Sequence, residues 1–386
     1  MQYKLAEKII NPQDITNLIG WLKETVQYTK GELTVEFEKQ WAQWIGTKYA
    51  VFCNSGSSAN LLMAYTALLG GDLKNKKVIV PSVGWVTTIS PFIQFGFEPI
   101  MCGADKNNFG LDVGHLEELL KKHDPAAVVM IQVLGIPSNI YQIKSLQEKY
   151  GFLLLDDACA ALGAEYDGKK VGSFSDMSSF SFYFGHQLST IEGGMVNTNS
   201  KKLYDLLLML RSHGWGKDLD SETESAFMQK YGIDEFHKPF TFFVPGFNLR
   251  STDLNAFLGL EMMKKADEVS TVRMENHMVY AQNLKTVDFQ KWNNLSKPCS
   301  ISFGAIAKNV AHRKRIVTQL VKNNIETRLF SAGNLGLHPF WFEGYGKFNH
   351  PISDKVHSCG FFLPNNESLT KKDILYITQV VNKSYD

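Results

Sequence analysis

The sequence predicts an α/β fold with a mostly parallel sheet flanked by helices, followed by a smaller α+β unit. Between Tyr49 and Asn197, short β-rich apolar runs alternate with longer amphipathic stretches. Several runs are apolar at consecutive positions, as expected for strands that are buried on both faces of a parallel sheet. The repeated order of strand, helix and strand therefore predicts a doubly wound domain.

The elements of this first domain can be placed one by one. The predicted strands are 49–53, 77–81, 99–103, 127–135, 152–156, 178–184 and 193–198. Helical spacing of apolar residues marks 116–122 and 143–150 between them.

The character of the chain changes after about residue 250. Two long helical stretches, 253–268 and 272–284, lead to an apolar run at 300–307 and to a closing helix after Leu369. A chain of 386 residues is longer than one hydrophobic core usually serves. We therefore predict a large domain over residues 1–250 and a smaller C-terminal domain over 251–386.

Composition excludes several classes of function. The chain is 44% hydrophobic and 20% charged with a net charge of +1, so no electrostatic feature favours nucleic acid or an anionic membrane as a partner. No apolar run is long enough to cross a bilayer and the N-terminus lacks the apolar core of a signal peptide, which predicts a cytoplasmic protein. The five cysteines are far apart and form no CxxC pair, which argues against a metal site, an iron–sulfur cluster or a disulfide framework.

A candidate phosphate site follows the first predicted strand. The turn Ser55-Gly56-Ser57-Ser58 opens a predicted helix. Free backbone N–H groups, hydroxyl donors and the positive end of the helix dipole together suit a phosphate monoester. A plain serine-rich helix cap is the alternative.

Two further candidates stand at strand ends. Asp156 and Asp157 end a buried strand at the edge of the sheet that usually faces a ligand. We interpret Asp157 as a carboxylate that keeps a heteroaromatic nitrogen protonated, and we expect Asp156 to cap the following helix. Trp85 could stack on a flat cofactor, although a tryptophan in the core is the alternative.

Along the chain, the serine-rich turn comes first, then Trp85, then the two aspartates, and last the segment from Ser179-Phe180-Ser181 to Gly193-Gly194. Motifs in this order resemble those of the pyridoxal phosphate (PLP)-dependent sugar aminotransferases. The resemblance covers nearly the whole chain and implies fold type I, the aspartate aminotransferase fold. It implies that Gly56, Ser57 and Ser181 contact the cofactor phosphate, that Trp85 stacks on the ring and that Asp157 meets its nitrogen. It also implies that Asn248 reaches the phosphate of a neighbouring subunit, so the active sites would lie at a homodimer interface.

One departure from the family pattern predicts a different reaction. The aminotransferases carry a lysine six residues before the Glu-Gly-Gly that begins here at Glu192, and this chain has His186 instead. With the sequence Arg211-Ser212-His213-Gly214-Trp215, this histidine resembles the branch of the family that removes the C3 hydroxyl of GDP-4-keto-6-deoxymannose. An imidazole forms no Schiff base but is a base near neutral pH, since its unperturbed pKa is about 6.5.

The resemblance implies a reaction for deoxysugar and O-antigen biosynthesis. L-Glutamate converts PLP to pyridoxamine phosphate (PMP), the PMP amine condenses with the C4 ketone of a nucleotide-linked sugar, and His186 moves the proton that lets the C3 hydroxyl leave. His213 is a second candidate for contact with cofactor or substrate, and capping of the preceding helix is its alternative. Arg250 and Arg328 are candidates for binding an anionic diphosphate or the donor carboxylate. The alternative for both is a surface ion pair.

Two other departures leave the substrate open. Ala160 replaces the longer Gln or Glu of the family, and Gln187 replaces the second histidine of the dehydratase motif. Two alternatives also remain: an aminotransferase whose lysine has been replaced, and a non-catalytic relative that keeps the fold and binds the cofactor.

Overall fold

In the computed structural model, which describes residues 2–384, a seven-stranded sheet organises the large domain. Its strand order is β1-β9-β8-β5-β4-β2-β3, and β9 alone runs against the other six. All strands of the described chain, in chain order, are β1 (Tyr49–Cys53), β2 (Lys77–Pro81), β3 (Glu98–Cys102), β4 (Ala127–Ile131), β5 (Leu153–Asp157), β6 (Glu165–Tyr166), β7 (Lys169–Lys170), β8 (Met177–Ser181), β9 (Gly194–Thr198), β10 (Asp288–Phe289), β11 (Ser296–Lys297), β12 (Ser302–Ile306) and β13 (Gly360–Pro364).

Helices cover both faces of this sheet. The helices of the described chain are α1 (Pro12–Glu24), α2 (Glu32–Ile45), α3 (Gly56–Gly70), α4 (Ser90–Gln94), α5 (Val113–His123), α6 (Ile140–Tyr150), α7 (Lys201–Arg211), α8 (Ser221–Tyr231), α9 (Asp253–Met263), α10 (Ala266–Asn283), α11 (Val310–Lys322), α12 (Pro339–Tyr345), α13 (Pro351–Cys359) and α14 (Lys371–Lys383). Side chains of α3 and α7 pack on one face of the sheet, and those of α2, α5, α6 and α9 pack on the other. Burial on both faces explains the apolar runs in the sequence.

The predicted strands of the sheet are found close to their predicted bounds. The prediction for 127–135 is too long, because Leu134 and Gly135 have φ angles of 56° and 90° and lie in a short 3₁₀ turn. The prediction for 178–184 is too long as well, since β8 ends at Ser181. Both extra segments run into the loops at the carboxyl edge of the sheet.

The smaller unit is built on a three-stranded sheet in the order β10-β12-β13, with α10, α11, α13 and α14 packed around it. The predicted helix 253–268 is interrupted between α9 and α10, where the Lys265 ammonium donates to the Ile9 carbonyl and to Asp14. Helix α9 packs on α2 and shares the core of the large sheet. The division at residue 250 therefore stays a prediction, because α9 belongs to the large core by its contacts.

Membrane-spanning helices and metal-binding clusters are both absent from the described residues. Among residues 2–384, no helix is both long and apolar enough to cross a membrane. In the same range, no group of three or more His, Cys, Asp or Glu side chains could hold a metal ion. The five cysteines are unpaired, and four of them are buried.

Candidate active site

The carboxyl ends of five parallel strands surround one cavity of about 310 Å³. Its walls come from the turns after β1, β2, β4, β5 and β8, which are neighbours at one edge of the sheet. This edge is where open α/β sheets bind ligands. The lining includes Ser55, Gly56, Ser57, Asn60, Trp85, Gln132, Leu134, Asp157, Ala160, Ser181, Tyr183, His186, Glu192, Ile301, Arg328 and Phe362.

One end of the cavity is the N-terminus of α3. The Ser55 hydroxyl caps the helix by accepting from the Ser58 N–H at 3.0 Å. Gly56 lies so close to β8 that a Cβ added there would be 2.4 Å from Cβ of Ser181. The backbone of the turn and the Ser181 side chain therefore face the same point, and the alternative of a plain helix cap does not explain this close approach.

Asp157 lines the cavity and is held by three donors. Its Oδ2 accepts from Nδ2 of Asn60 at 3.0 Å and from the Thr88 hydroxyl at 2.6 Å, and its Oδ1 accepts from the Cys159 N–H at 3.1 Å. The side chain is buried but reaches the cavity. A carboxylate fixed in this way can pair with a cationic ring nitrogen.

Asp156 does not have the role that the sequence predicted. Neighbouring residues of a strand point to opposite faces, and Oδ1 of Asp156 accepts from Nε2 of Gln132 at 2.9 Å. The segment after β5 is not helical, so the prediction that Asp156 caps a helix is wrong. Burial raises the pKa of Asp156 to about 7.

Trp85 stands at the rim of the cavity. It is 55% exposed, so the alternative of a tryptophan in the core is wrong. The indole follows β2, and the loop that carries it is tied to the small domain through the Gly84 carbonyl, which accepts from the Ser331 hydroxyl at 2.7 Å. An aromatic face is thus available beside the phosphate turn and the carboxylate.

His186 lies in the loop between β8 and β9 and lines the cavity. Its Nδ1 is buried without a hydrogen-bond partner among the described residues. Burial lowers the pKa of His186 to about 4, a contact of the ring with the Cys159 backbone opposes this shift, and the nearby cations Arg273 and Arg328 act in the same direction as burial. The imidazole is therefore neutral at pH 7 and able to accept a proton.

Arg328 brings a positive charge to the cavity from the small domain. Its guanidinium lies over the Phe362 ring at 5.1 Å, and within residues 2–384 it forms no ion pair with a carboxylate. The alternative of a surface ion pair is therefore wrong for Arg328. An arginine without an acidic partner at a cavity wall suits an anionic ligand.

Three predicted residues lie outside this lining. Asn248 is exposed and accepts from Nε of Arg250 at 3.0 Å. Nε2 of His213 lies 3.3 Å from the Arg250 guanidinium, and the His213 N–H donates to the Phe247 carbonyl. His213 therefore does not cap α7, and Arg250 has no acidic partner in the described chain. Their roles toward cofactor and substrate stay predictions.

Comparisons with known proteins agree with this geometry. A model of the DegT/DnrJ/EryC1/StrS aminotransferase family matches residues 10–382. The chain belongs to that family. Within it, GDP-4-keto-6-deoxy-D-mannose 3-dehydratase of Yersinia pseudotuberculosis is 31% identical over 340 residues, covering 86% of each chain.

Two further relatives show the range of this family. A UDP-4-amino-4,6-dideoxy-N-acetyl-β-L-altrosamine transaminase of Campylobacter jejuni is 32% identical over 295 residues, which cover 73% of this chain and 72% of the transaminase. A crystal structure of GDP-4-keto-6-deoxymannose-3-dehydratase with a trapped PLP–glutamate geminal diamine has a TM-score of 0.89 at 27% identity. It covers 98% of this chain and 100% of that one, and the shared fold is the predicted fold type I.

Sequence reasoning missed several residues of the candidate site. Asn60 and Thr88 hold Asp157, and Tyr183, Ile301 and Phe362 line the cavity. A signal existed for Asn60, which follows Gly56 by four residues and so lies on the same face of α3. The others come together only through tertiary contacts.

Proposed function

We propose that the chain is a PLP/PMP-dependent dehydratase that removes the C3 hydroxyl of a nucleotide-linked 4-keto-6-deoxyhexose. GDP-4-keto-6-deoxymannose is the proposed substrate and L-glutamate the amino donor. The observation that carries the proposal is His186, a neutral base in the cavity where a family aminotransferase would be expected to have its lysine. The dehydratase relative supports the substrate, and the PLP–glutamate adduct in the related structure supports cofactor and donor.

The cavity fits the proposed cofactor at three points. Backbone N–H groups of Gly56 and Ser57 at the start of α3, with the Ser181 hydroxyl, suit the phosphate. The buried Asp157 carboxylate suits the ring nitrogen, and the exposed Trp85 indole suits the ring face. Since an imidazole makes no Schiff base, these non-covalent contacts would have to hold the cofactor alone.

The residues of this chain would then divide the work of proton transfer. PMP bound there supplies an amine that joins the C4 ketone and a ring that takes up electrons. His186, neutral at pH 7, accepts the proton that must be removed, and the imidazolium returns it to the departing C3 hydroxyl, which leaves as water. Asp157 keeps the ring nitrogen protonated throughout. Two electrons come from glutamate, so the products are a 4-keto-3,6-dideoxy sugar, 2-oxoglutarate and ammonia.

The site would be completed by a second copy of the chain. Asn248 is exposed, and it follows a segment in which Phe236, Phe240 and Phe242 are 86%, 76% and 53% exposed. Exposed aromatic side chains so close in sequence support a subunit interface. We propose a homodimer in which Asn248 reaches the phosphate of the partner's site. We also propose the cytoplasm as the place of action, a proposal supported by the absence of a membrane-spanning helix among residues 2–384.

The proposal is tested by the mass of the product. The protein is incubated with PLP, L-glutamate and GDP-4-keto-6-deoxymannose, and the sugar nucleotide is analysed by mass spectrometry. A product lighter by one oxygen atom shows loss of one hydroxyl, and an NMR spectrum of that product locates the loss at C3. His186→Asn should abolish it, whereas His237→Asn, which changes an exposed histidine paired with Asp234, should not.

Other products would support the alternatives. An amino sugar would show that the chain is an aminotransferase that works without the usual lysine, an alternative that the transaminase relative supports. An unchanged sugar with bound PLP would favour a different nucleotide sugar or a non-catalytic relative. Repeating the assay with the CDP- and dTDP-linked sugars separates these two.

A further inference from the structure

The residue next to His186 makes two hydrogen bonds that join separate parts of the chain. Gln187 is 1% exposed, and its Nε2 donates to the Ala160 carbonyl at 2.6 Å and to the Cys299 carbonyl at 2.8 Å. Ala160 belongs to the loop after β5, and Cys299 to the segment that leads into β12. The loop that carries His186 is thereby fixed to both.

The chemistry of the contact requires an amide. A side-chain NH₂ group has two hydrogens and can serve two carbonyl acceptors, whereas a neutral imidazole has one N–H. The two carbonyls also meet at a crowded point: a Cβ on Gly135 would lie 2.2 Å from the Cys299 oxygen and 2.8 Å from the Ala160 oxygen. The Cys299 N–H in turn donates to the Gly135 carbonyl at 3.0 Å. Three segments therefore converge where Gln187 binds.

These segments carry the working parts of the proposed site. Ala160 follows Asp157 by three residues, and the Cys159 N–H between them donates to the Asp157 carboxylate. Cys299 precedes Ile301, which lines the cavity and donates its N–H to the Leu134 carbonyl at 3.1 Å. A movement at Gln187 would consequently change the position of the His186 imidazole relative to the Asp157 carboxylate and the cavity wall.

We propose that Gln187 is a positioning residue that fixes His186 relative to Asp157 and to the small-domain wall of the cavity. The inference rests on the proposed function only where it concerns turnover. Nδ1 of His186 has no hydrogen-bond partner among the described residues, so the position of the ring depends on its own loop, which Gln187 holds, and on its contact with the Cys159 backbone, next to the Ala160 carbonyl that Gln187 also binds. Gln187 itself touches no reacting atom, since its amide faces two backbone carbonyls.

The experiment compares Gln187→Met with a matched control elsewhere in the core. Gln290 is also 1% exposed, and its Nε2 also donates to two carbonyls, those of Asn108 and Val133, at 2.8 and 2.9 Å. Gln290→Met therefore removes the same kind of contact, including one to Val133 in the cavity wall, without removing a contact of the loop that carries His186. Both variants should lower the midpoint of thermal unfolding to a similar extent.

The first measurement is an NMR titration of His186 in the cofactor-free protein, its signal assigned by its absence in His186→Asn. In Gln187→Met the loop is released toward water, so the pKa of His186 should rise by about one unit or more toward the ordinary value of about 6.5. Gln290→Met should leave that pKa unchanged. This measurement needs no turnover, so its result stands even when the sugar substrate is wrong.

The second measurement is the rate of dehydration. Gln187→Met should lower kcat about tenfold or more with little change in KM for the sugar, because the lost alignment concerns the reacting groups and not sugar binding. Gln187→His, which can still serve one carbonyl, should recover part of the rate.

Two outcomes would overturn the proposal. One is a His186 pKa that is the same in Gln187→Met as in the wild type. The other is a loss of kcat that is equal in Gln187→Met and Gln290→Met. If Gln187→Met does not fold, Gln187→His alone decides by the same titration, where an unshifted pKa rejects the proposal.

Discussion

Replacing Asp157 by asparagine tests how the candidate site holds a ring nitrogen. The three groups around this carboxylate, Asn60, Thr88 and the Cys159 N–H, are all placed to donate. An amide of the same shape must turn its own NH₂ toward one side of this ring of donors. The Thr88 hydroxyl can rotate to accept, but either the Asn60 amide or the Cys159 N–H, depending on which way the new amide turns, would face a second donor.

The magnitude follows from the number of donors left without an acceptor. One buried N–H without a partner costs about 1–3 kcal/mol, so the cofactor-free Asp157→Asn protein should lose about that much unfolding free energy. A hydrogen bond to a charged group contributes about 1.5–3 kcal/mol, so PLP should bind roughly 10- to 150-fold more weakly.

The adjacent acid supplies the control. Burial raises the pKa of Asp156 to about 7, and its Oδ1 accepts from Gln132, a contact that an asparagine oxygen preserves. Asp156→Asn should therefore leave PLP affinity unchanged. Stability is measured by urea unfolding, and PLP affinity by titration of tryptophan fluorescence and cofactor absorbance. An Asp157→Asn protein that binds PLP as tightly as the wild type would refute the assignment of Asp157 to the ring nitrogen.

Three further predictions concern other parts of the site. Gly56→Ala should abolish tight PLP binding, because the new Cβ would lie 2.4 Å from Cβ of Ser181; Gly20→Ala, with open space around it, should not change PLP affinity in the same titration. Arg328→Gln should raise KM for glutamate or for the nucleotide sugar with little change in kcat, and steady-state kinetics with each varied in turn identifies the anion; an unchanged KM for both would exclude Arg328 from binding. As the pH falls from 6.5 to 4, the cofactor-free protein should lose unfolding free energy. Burial lowers the pKa of His186 to about 4, so the unfolded chain binds more protons than the folded protein in this pH range. His186→Asn should lose less unfolding free energy in urea unfolding, and a loss identical to that of the wild type would contradict the low pKa.

The sequence was sufficient to predict that residues at the ends of strands line the candidate site. Asp157 and the turn at Gly56 are recognisable because a buried strand precedes each of them, and the sheet brings such ends to one edge. Strands β4 and β8 were predicted too long. The apolar residues continue into the loops at that edge, whereas the extended backbone ends before them.

The contacts that hold these residues could not be predicted. Asn60 and Thr88 are 97 and 69 positions from Asp157, and the Cys299 carbonyl that Gln187 binds is 112 positions away. No local pattern encodes a pairing over such distances, because it depends on the strand order and on the packing of the small domain. In the proposed homodimer, the role of Asn248 depends in addition on a second chain.

The proposed division of work between Asp157 and His186 follows from how weak a base this histidine is. Histidines of hydrolytic triads are paired with an acid that stabilises their charged form, whereas His186 has a buried Nδ1 without a partner among residues 2–384 and a pKa lowered to about 4. Such a base gives a proton back readily, which suits delivery to a departing hydroxyl, but it removes one only from a carbon that is already acidic. In the proposed mechanism, that acidity comes from the ring whose nitrogen Asp157 would keep protonated. The two side chains should therefore act as a unit, and the rate loss in a double variant should be much smaller than the product of the two single losses.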